Sequence, residues 1–93
     1  MSDAAYRWRK ARARDSAIRE LKRQGFNVWD VTRGSAYSTI VAYNPDGAVC
    51  REIIVCLDST SMKSLGKLHR RRGVSLEVWH RNRGETTFSI TKL

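Results

Sequence analysis

The most constraining stretch of this chain is Asn44-Pro45-Asp46-Gly47, a hairpin turn written in four residues. Proline fixes φ near the value a turn's first corner needs, and glycine tolerates the positive φ that follows. The flanking runs, Tyr37 to Tyr43 and Val49 to Leu57, are β-branched and apolar enough for strands. The turn therefore predicts an antiparallel pair in the middle of a sheet.

The remaining elements are read around that pair. From about Ala4 to Gln24 the chain has no Gly or Pro, is rich in Ala, Arg, Lys and Glu, and stops at Gly25, the residue type that most often ends a helix. Ala11, Ala17, Ile18 and Leu21 give a narrow apolar stripe. Arg7, Lys10 and Arg14 continue that side toward the N-terminus, and Arg12, Arg19 and Arg23 line the opposite one, so only the second half of the helix is built for core packing. Residues 26–32 place Phe26 and Val28 on one face and Trp29 and Val31 on the other, a strand with one irregular step. Ser59, Thr60 or Ser61 can cap a second helix over about 61–72, with Met62, Leu65 and Leu68 at helical spacing, Gly66 inside it and Arg70-Arg71-Arg72-Gly73 at its end. Val74 to His80 and Thr86 to Thr91 read as two more strands across the turn Asn82-Arg83-Gly84. The expected fold is α+β (α/β) with the order αβββαββ, one domain over residues 1–93, with 1–5 disordered.

Charge narrows the partners. Lys and Arg number 18 against 9 Asp and Glu, a net charge of +9, and Arg outnumbers Lys 13 to 5. Such a field favours a polyanion, and guanidinium forks match phosphate oxygens. Nucleic acid is the expected partner; an anionic membrane surface is the lesser alternative. No run of about 18 apolar residues exists, and the N-terminus is charged from Asp3 without an apolar signal core, so a soluble, cytoplasmic protein with no membrane partner is expected. A hydrophobic content of 41% in 93 residues supports one modest core, and a homodimer is expected to add buried surface. Cys50 and Cys56 lie six apart in one strand, out of bonding range, and are expected as free thiols. Two Cys and two His without close pairing give no metal-ligand spacing.

The candidate nucleic-acid contacts are Arg7, Arg9, Lys10 and Arg14 on the first helix, Arg33 and Ser35 in the turn after the first strand, and Lys63, Lys67, Arg70, Arg71 and Arg72 toward the end of the second helix. The Arg70 to Arg72 run has two readings, a solvated helix end complementing the dipole or a set of phosphate grips. Trp8 sits in Tyr6-Arg7-Trp8-Arg9-Lys10, a mixture of aromatic and cationic groups suited to stacking on a nucleic acid or a partner. Trp29 and Trp79 are expected in the core, and His69 and His80 at the surface beside arginines. Arg81 and Arg83 fall on the last hairpin.

Several local strings, in this order, resemble the archaeal Holliday junction resolvases and the wider PD-(D/E)XK, or restriction-endonuclease-like, superfamily. They are the helix ending at Gly25-Phe26, the loop Arg33-Gly34-Ser35, the strand Thr39-Ile40-Val41-Ala42, the hairpin, and Val55-Cys56-Leu57-Asp58-Ser59-Thr60. The resemblance spans about residues 5–91 and implies a mixed central sheet flanked by two helices. It also implies a strand-opening Asp, a Glu-x-Lys pair and a first-helix acid, which together hold Mg²⁺ and orient water. Here Thr39 stands at the Asp position. The pair falls on Cys56 and Asp58, or on Ile54 and Cys56 if the register moves by one pleat, and the helix acid falls near Arg14, one place from Asp15, with Glu20 further along. The resemblance with these departures implies a catalytically silent copy with no cofactor, of a kind associated with viral or mobile-element genomes and so with a host cytoplasm. Its expected activity is binding of duplex or branched DNA. The rival readings are an active metal-dependent nuclease using Asp58 and Mg²⁺, a double-stranded RNA binder, and a protein-interaction module; Asp58 also reads plainly as a helix N-terminal carboxylate.

Overall fold

The computed structural model describes residues 3–34, 37–57, 71–82 and 84–93. Helix α1 (Asp3–Arg23) is followed by strands β1 (Asn27–Asp30), β2 (Ser38–Tyr43), β3 (Val49–Leu57), β4 (Ser75–Arg81) and β5 (Ser89–Lys92). The strands form one sheet in the order β1-β2-β3-β4-β5. All neighbours are antiparallel except β3 and β4, which run parallel. The fold is α+β, a helix on a mixed five-stranded sheet.

Local chemistry explains the two sharpest boundaries. At Gly25 the backbone reaches φ 97. The Gly25 N–H donates to the Lys22 carbonyl at 3.0 Å and the Phe26 N–H to the Leu21 carbonyl at 3.1 Å, a Schellman cap that drops Phe26 onto the core beside Leu21. In the hairpin, the Gly47 N–H donates to Asn44 and the Asn44 N–H to Ala48, both at 2.9 Å. The turn brings Val49 opposite Tyr43, with a register shift between Ala42 and Tyr43.

Because side chains alternate along strands, each sheet face has its own core. Ile40, Ala42, Ile53, Val55, Leu57 and Trp79 pack against Ala13, Ala17 and Leu21 of α1. The alanines let the helix sit close to the sheet. On the other face Ile54, Cys56, Leu76 and Val78 pack together with Tyr37 beside them. The run Ile53 to Leu57 is buried throughout, as expected of a central strand covered on both sides.

One charged pair lies inside the α1 face. The Arg51 guanidinium meets the Glu77 carboxylate in a fork, Nε and Nη2 each at 2.7 Å from an oxygen. Trp79 Nε1 and Ser75 Oγ donate to the same carboxylate. The third guanidinium nitrogen reaches Gln24 Oε1 at 2.8 Å. This pair ties β3 to β4 and to the end of α1.

Several expectations are corrected. The helix begins at Asp3, so residues 3–5 are helical rather than disordered. Ala13, not Ala11, joins Ala17 and Leu21 in the core, because the stripe follows the turn nearest the sheet. Trp79 is fully buried, but Trp29 is 66% exposed: β1 is an edge strand, and Trp29 points away from the α1 side that takes Val28. The predicted helix over 61–72 lies at 61–70 outside the described residues; Arg71 to Gly73 form a turn into β4, closed by the Val74 N–H on the Arg71 carbonyl at 3.1 Å. Neither Cys50 nor Cys56 forms a disulfide, and Cys56 is buried. Among the described residues, no helix is long and apolar enough to cross a membrane.

Candidate nucleic-acid interface

Helix α1 lies across the sheet with one flank toward β1 and the other toward β4. On the β1 flank, Lys10 Nζ donates to the Gly34 carbonyl at 3.0 Å. One turn on, Arg14 Nε sits 3.3 Å from Asp15 and 3.6 Å from Asp30. Burial pushes Asp30 up, but the hydroxyl and backbone N–H of Thr32 and the charges of Arg14 and Lys10 outweigh it and hold the carboxyl below its usual range. The Thr32 hydroxyl in turn accepts the Thr39 N–H at 3.1 Å. Lys10 and Arg14 thus brace the segment between β1 and β2, and Arg14 is neutralised by two carboxylates. Arg7 is exposed and Arg9 half-buried on the same helix.

On the sheet face away from α1, Arg33 and Arg71 line one groove of about 540 Å³ together with Tyr37, Thr39, Ile54 and Glu52. Both arginines are exposed. Thr39 stands directly across from Ile54. Cys56, two residues further along β3, packs with Ile54 on this face. Thr39, Cys56 and, in the register moved by one pleat, Ile54 are positions at which the resemblance implies oxygen or ammonium groups; they share one surface and hold a hydroxyl, a thiol and a branched hydrocarbon, while Asp58 lies outside the described residues. Glu52 is the carboxylate of this groove. Among the described residues, no group of three or more His, Cys, Asp and Glu side chains could hold a metal ion. The arrangement suits anion binding at the groove's guanidinium groups better than chelation of a hard cation.

Arg72 lies beside Lys92 at a separate shallow depression that Arg71 also reaches. Ser35, Asp58, Lys63, Lys67 and Arg70 lie outside the described residues. The sequence-derived contacts therefore divide: Lys10 and Arg14 lie beside the β1–β2 segment on the helix side, and Arg33 and Arg71 line one groove on the other face of the sheet. Trp8 is 60% exposed and carries the Arg12 guanidinium 4.7 Å above its ring.

The β4 flank of α1 holds a cluster that the sequence pattern does not single out. Arg81 Nη1 donates to Ser16 Oγ at 3.3 Å and Nη2 to the Thr86 carbonyl at 2.9 Å, with the guanidinium 4.1 Å over the Phe88 ring. Arg19 Nη2 donates to the same Ser16 hydroxyl at 3.3 Å. Burial and the charges of Arg12 and Arg19 hold the Arg81 guanidinium below its usual range. The signal that could have found it is parity: Glu77, Trp79 and Arg81 alternate onto the same face, so once Trp79 is core, Arg81 must point at the helix.

No protein-family model, no curated protein and no solved structure matches this chain.

Proposed function

We propose that the protein binds nucleic acid, DNA in duplex or branched form, through phosphate contacts, on a catalytically silent scaffold resembling the restriction-endonuclease-like superfamily. The observation that carries this reading is the groove on the sheet face away from α1. It is lined by the guanidinium groups of Arg33 and Arg71, while Thr39 stands at the position where the resemblance implies a metal-binding Asp, with Ile54 directly across from it. Ion pairing supports it as well. Asp15 and Asp30 neutralise Arg14, Glu20 pairs with Arg23 and Glu77 with Arg51, so the structural acids are used internally and leave Arg33, Arg71 and Arg72 without a carboxylate partner among the described residues. Contacts of this kind position a backbone and carry little sequence information.

The test is fluorescence anisotropy with single-stranded, duplex and four-way DNA at two salt concentrations. Affinity is expected to fall steeply with salt, with little dependence on base sequence. An isotherm indifferent to salt removes phosphate contact as the driving term, and preferential capture of duplex RNA in competition would assign the protein to that polymer instead. One observation favours a second reading: Glu52 places an acid in the same groove as Thr39. Incubation of supercoiled and four-way DNA with Mg²⁺ or Mn²⁺, against a Glu52→Gln control, separates the two. Cleavage lost in the control would make the protein a nuclease.

A further inference from the structure

The geometry points to an oxyanion site on the opposite side of the sheet from that groove, where Arg81, Arg19 and Ser16 would bind a phosphate group with Arg12 supplying additional positive field. This goes beyond the reading above, because it requires no nucleic acid. Three observations carry it. Arg81 and Arg19 both donate to the single Ser16 hydroxyl at 3.3 Å, so two like charges share one neutral acceptor. Neither arginine has a carboxylate partner among the described residues. Arg81 Nε is buried without a hydrogen-bond partner among the described residues. Stacking on Phe88 and the bond to the Thr86 carbonyl fix the guanidinium plane, so the group is already oriented when a ligand arrives.

The surroundings leave room for an anion. A recess of about 380 Å³ is lined by Ser16, Arg19, Glu20, Arg23, Arg81 and Thr86. Glu20, the acid in it, is engaged by Arg23 and by Gln24 Nε2, the latter at 2.9 Å. Arg81 also reaches a second, smaller recess with Arg12 and Trp8. Its acid, Glu85, accepts the Asn82 N–H at 2.8 Å. A phosphate could accept from Arg19 and Arg81 and take the Ser16 hydroxyl as a donor, replacing an unfavourable cation pair with charge-assisted hydrogen bonds.

The test is thermal unfolding of the whole protein in inorganic phosphate against sodium chloride of equal ionic strength. A ligand bound only by the folded state, at about ten times its Kd, raises Tm by roughly 6–11 °C in a domain of this size. Wild type is expected to show such a saturable rise. An Arg12→Gln/Arg19→Gln variant is expected to lose it while unfolding in chloride at the same temperature as wild type or higher, since repulsion has been removed. Because both residues lie on the outer side of α1, the variant folds even if Arg81→Gln does not. Equal Tm in phosphate and chloride, or a full phosphate rise in the double variant, overturns the site. Duplex DNA binding by the variant then identifies the source of the phosphate. Weakened binding means that the site takes a backbone phosphodiester, and unchanged binding with the phosphate rise lost means that it takes a free anion.

Discussion

Arg51→Met is the perturbation whose consequence the structure specifies most fully. Glu77 is 1% exposed, and its carboxylate accepts from Arg51 Nε and Nη2, both at 2.7 Å, from Trp79 Nε1 at 3.1 Å and from Ser75 Oγ at 3.3 Å. Methionine keeps an apolar stem between Phe26 and Trp79, over which the guanidinium now lies at 5.1 and 5.8 Å from the ring centroids. It deletes both short bonds and strands a buried carboxylate with two neutral donors. Removing one partner of a buried pair costs about 3–5 kcal/mol, set against the roughly 5–15 kcal/mol that holds a small domain together. In a urea titration the midpoint should fall by about 1 M or more. The pH dependence gives a second check. In the wild type, burial raises the Glu77 pKa, but the hydrogen bonds from Arg51 and Trp79 and the charge of Arg51 outweigh it, and the carboxyl is held below 4.5. Its contribution is therefore complete above that value and lost as pH falls through the folded pKa. In Arg51→Met only the hydrogen bonds from Trp79 and Ser75 still oppose burial, and the folded pKa is expected to rise above the unfolded one. Folding then takes up a proton, and the variant gains stability as pH falls from neutrality toward the unfolded pKa. Adding Glu77→Gln should recover most of the loss, since the amide oxygen still accepts from Trp79. A loss below about 1 kcal/mol with wild-type pH dependence would show that water, rather than Arg51, solvates Glu77, and would refute the reasoning.

Gly25→Ala should cost roughly 1–2 kcal/mol, read as a lowered urea midpoint at constant slope. The added methyl meets nothing within 4 Å, so the whole effect comes from φ 97. Acrylamide should quench Trp8 and Trp29 and leave Trp79 protected, so Trp8→Phe/Trp29→Phe should yield a blue-shifted, quencher-resistant emission; easy quenching of the remaining indole would contradict the core placement. Arg33→Ala/Arg71→Ala should weaken DNA binding by a similar factor on every sequence and flatten the log K against log salt slope by about 0.9 for each phosphate no longer neutralised. An unchanged slope would place the footprint elsewhere.

What could be read from the chain and what could not divide by the range of the interaction. The helix end at Gly25 and the turn at Asn44 to Gly47 are set by residues within five positions of each other, and glycine and proline announce them directly. The continuous apolar run Ile53 to Leu57 likewise announces a buried strand, though not which strand it pairs with in parallel. Trp29 escaped because exposure on an edge strand depends on the order β1-β2-β3-β4-β5, which no local pattern contains. The charges escaped for the same reason. A net charge of +9 is a sum over the chain, whereas a binding surface consists of the cations left over after ion pairing. That pairing is long-range here: Arg14 with Asp30, Arg51 with Glu77. Before the fold is known Arg14 reads as a phosphate contact and Arg81 only as one more arginine on a hairpin. Once it is known, Arg14 has two carboxylates, while Arg81 has a serine, a carbonyl and the repulsion of Arg12 and Arg19. An arginine held in place without a countercharge among the described residues is the position at which an external anion gains the most, so the cluster around Arg81 should respond to phosphate before any of the charge-matched arginines does.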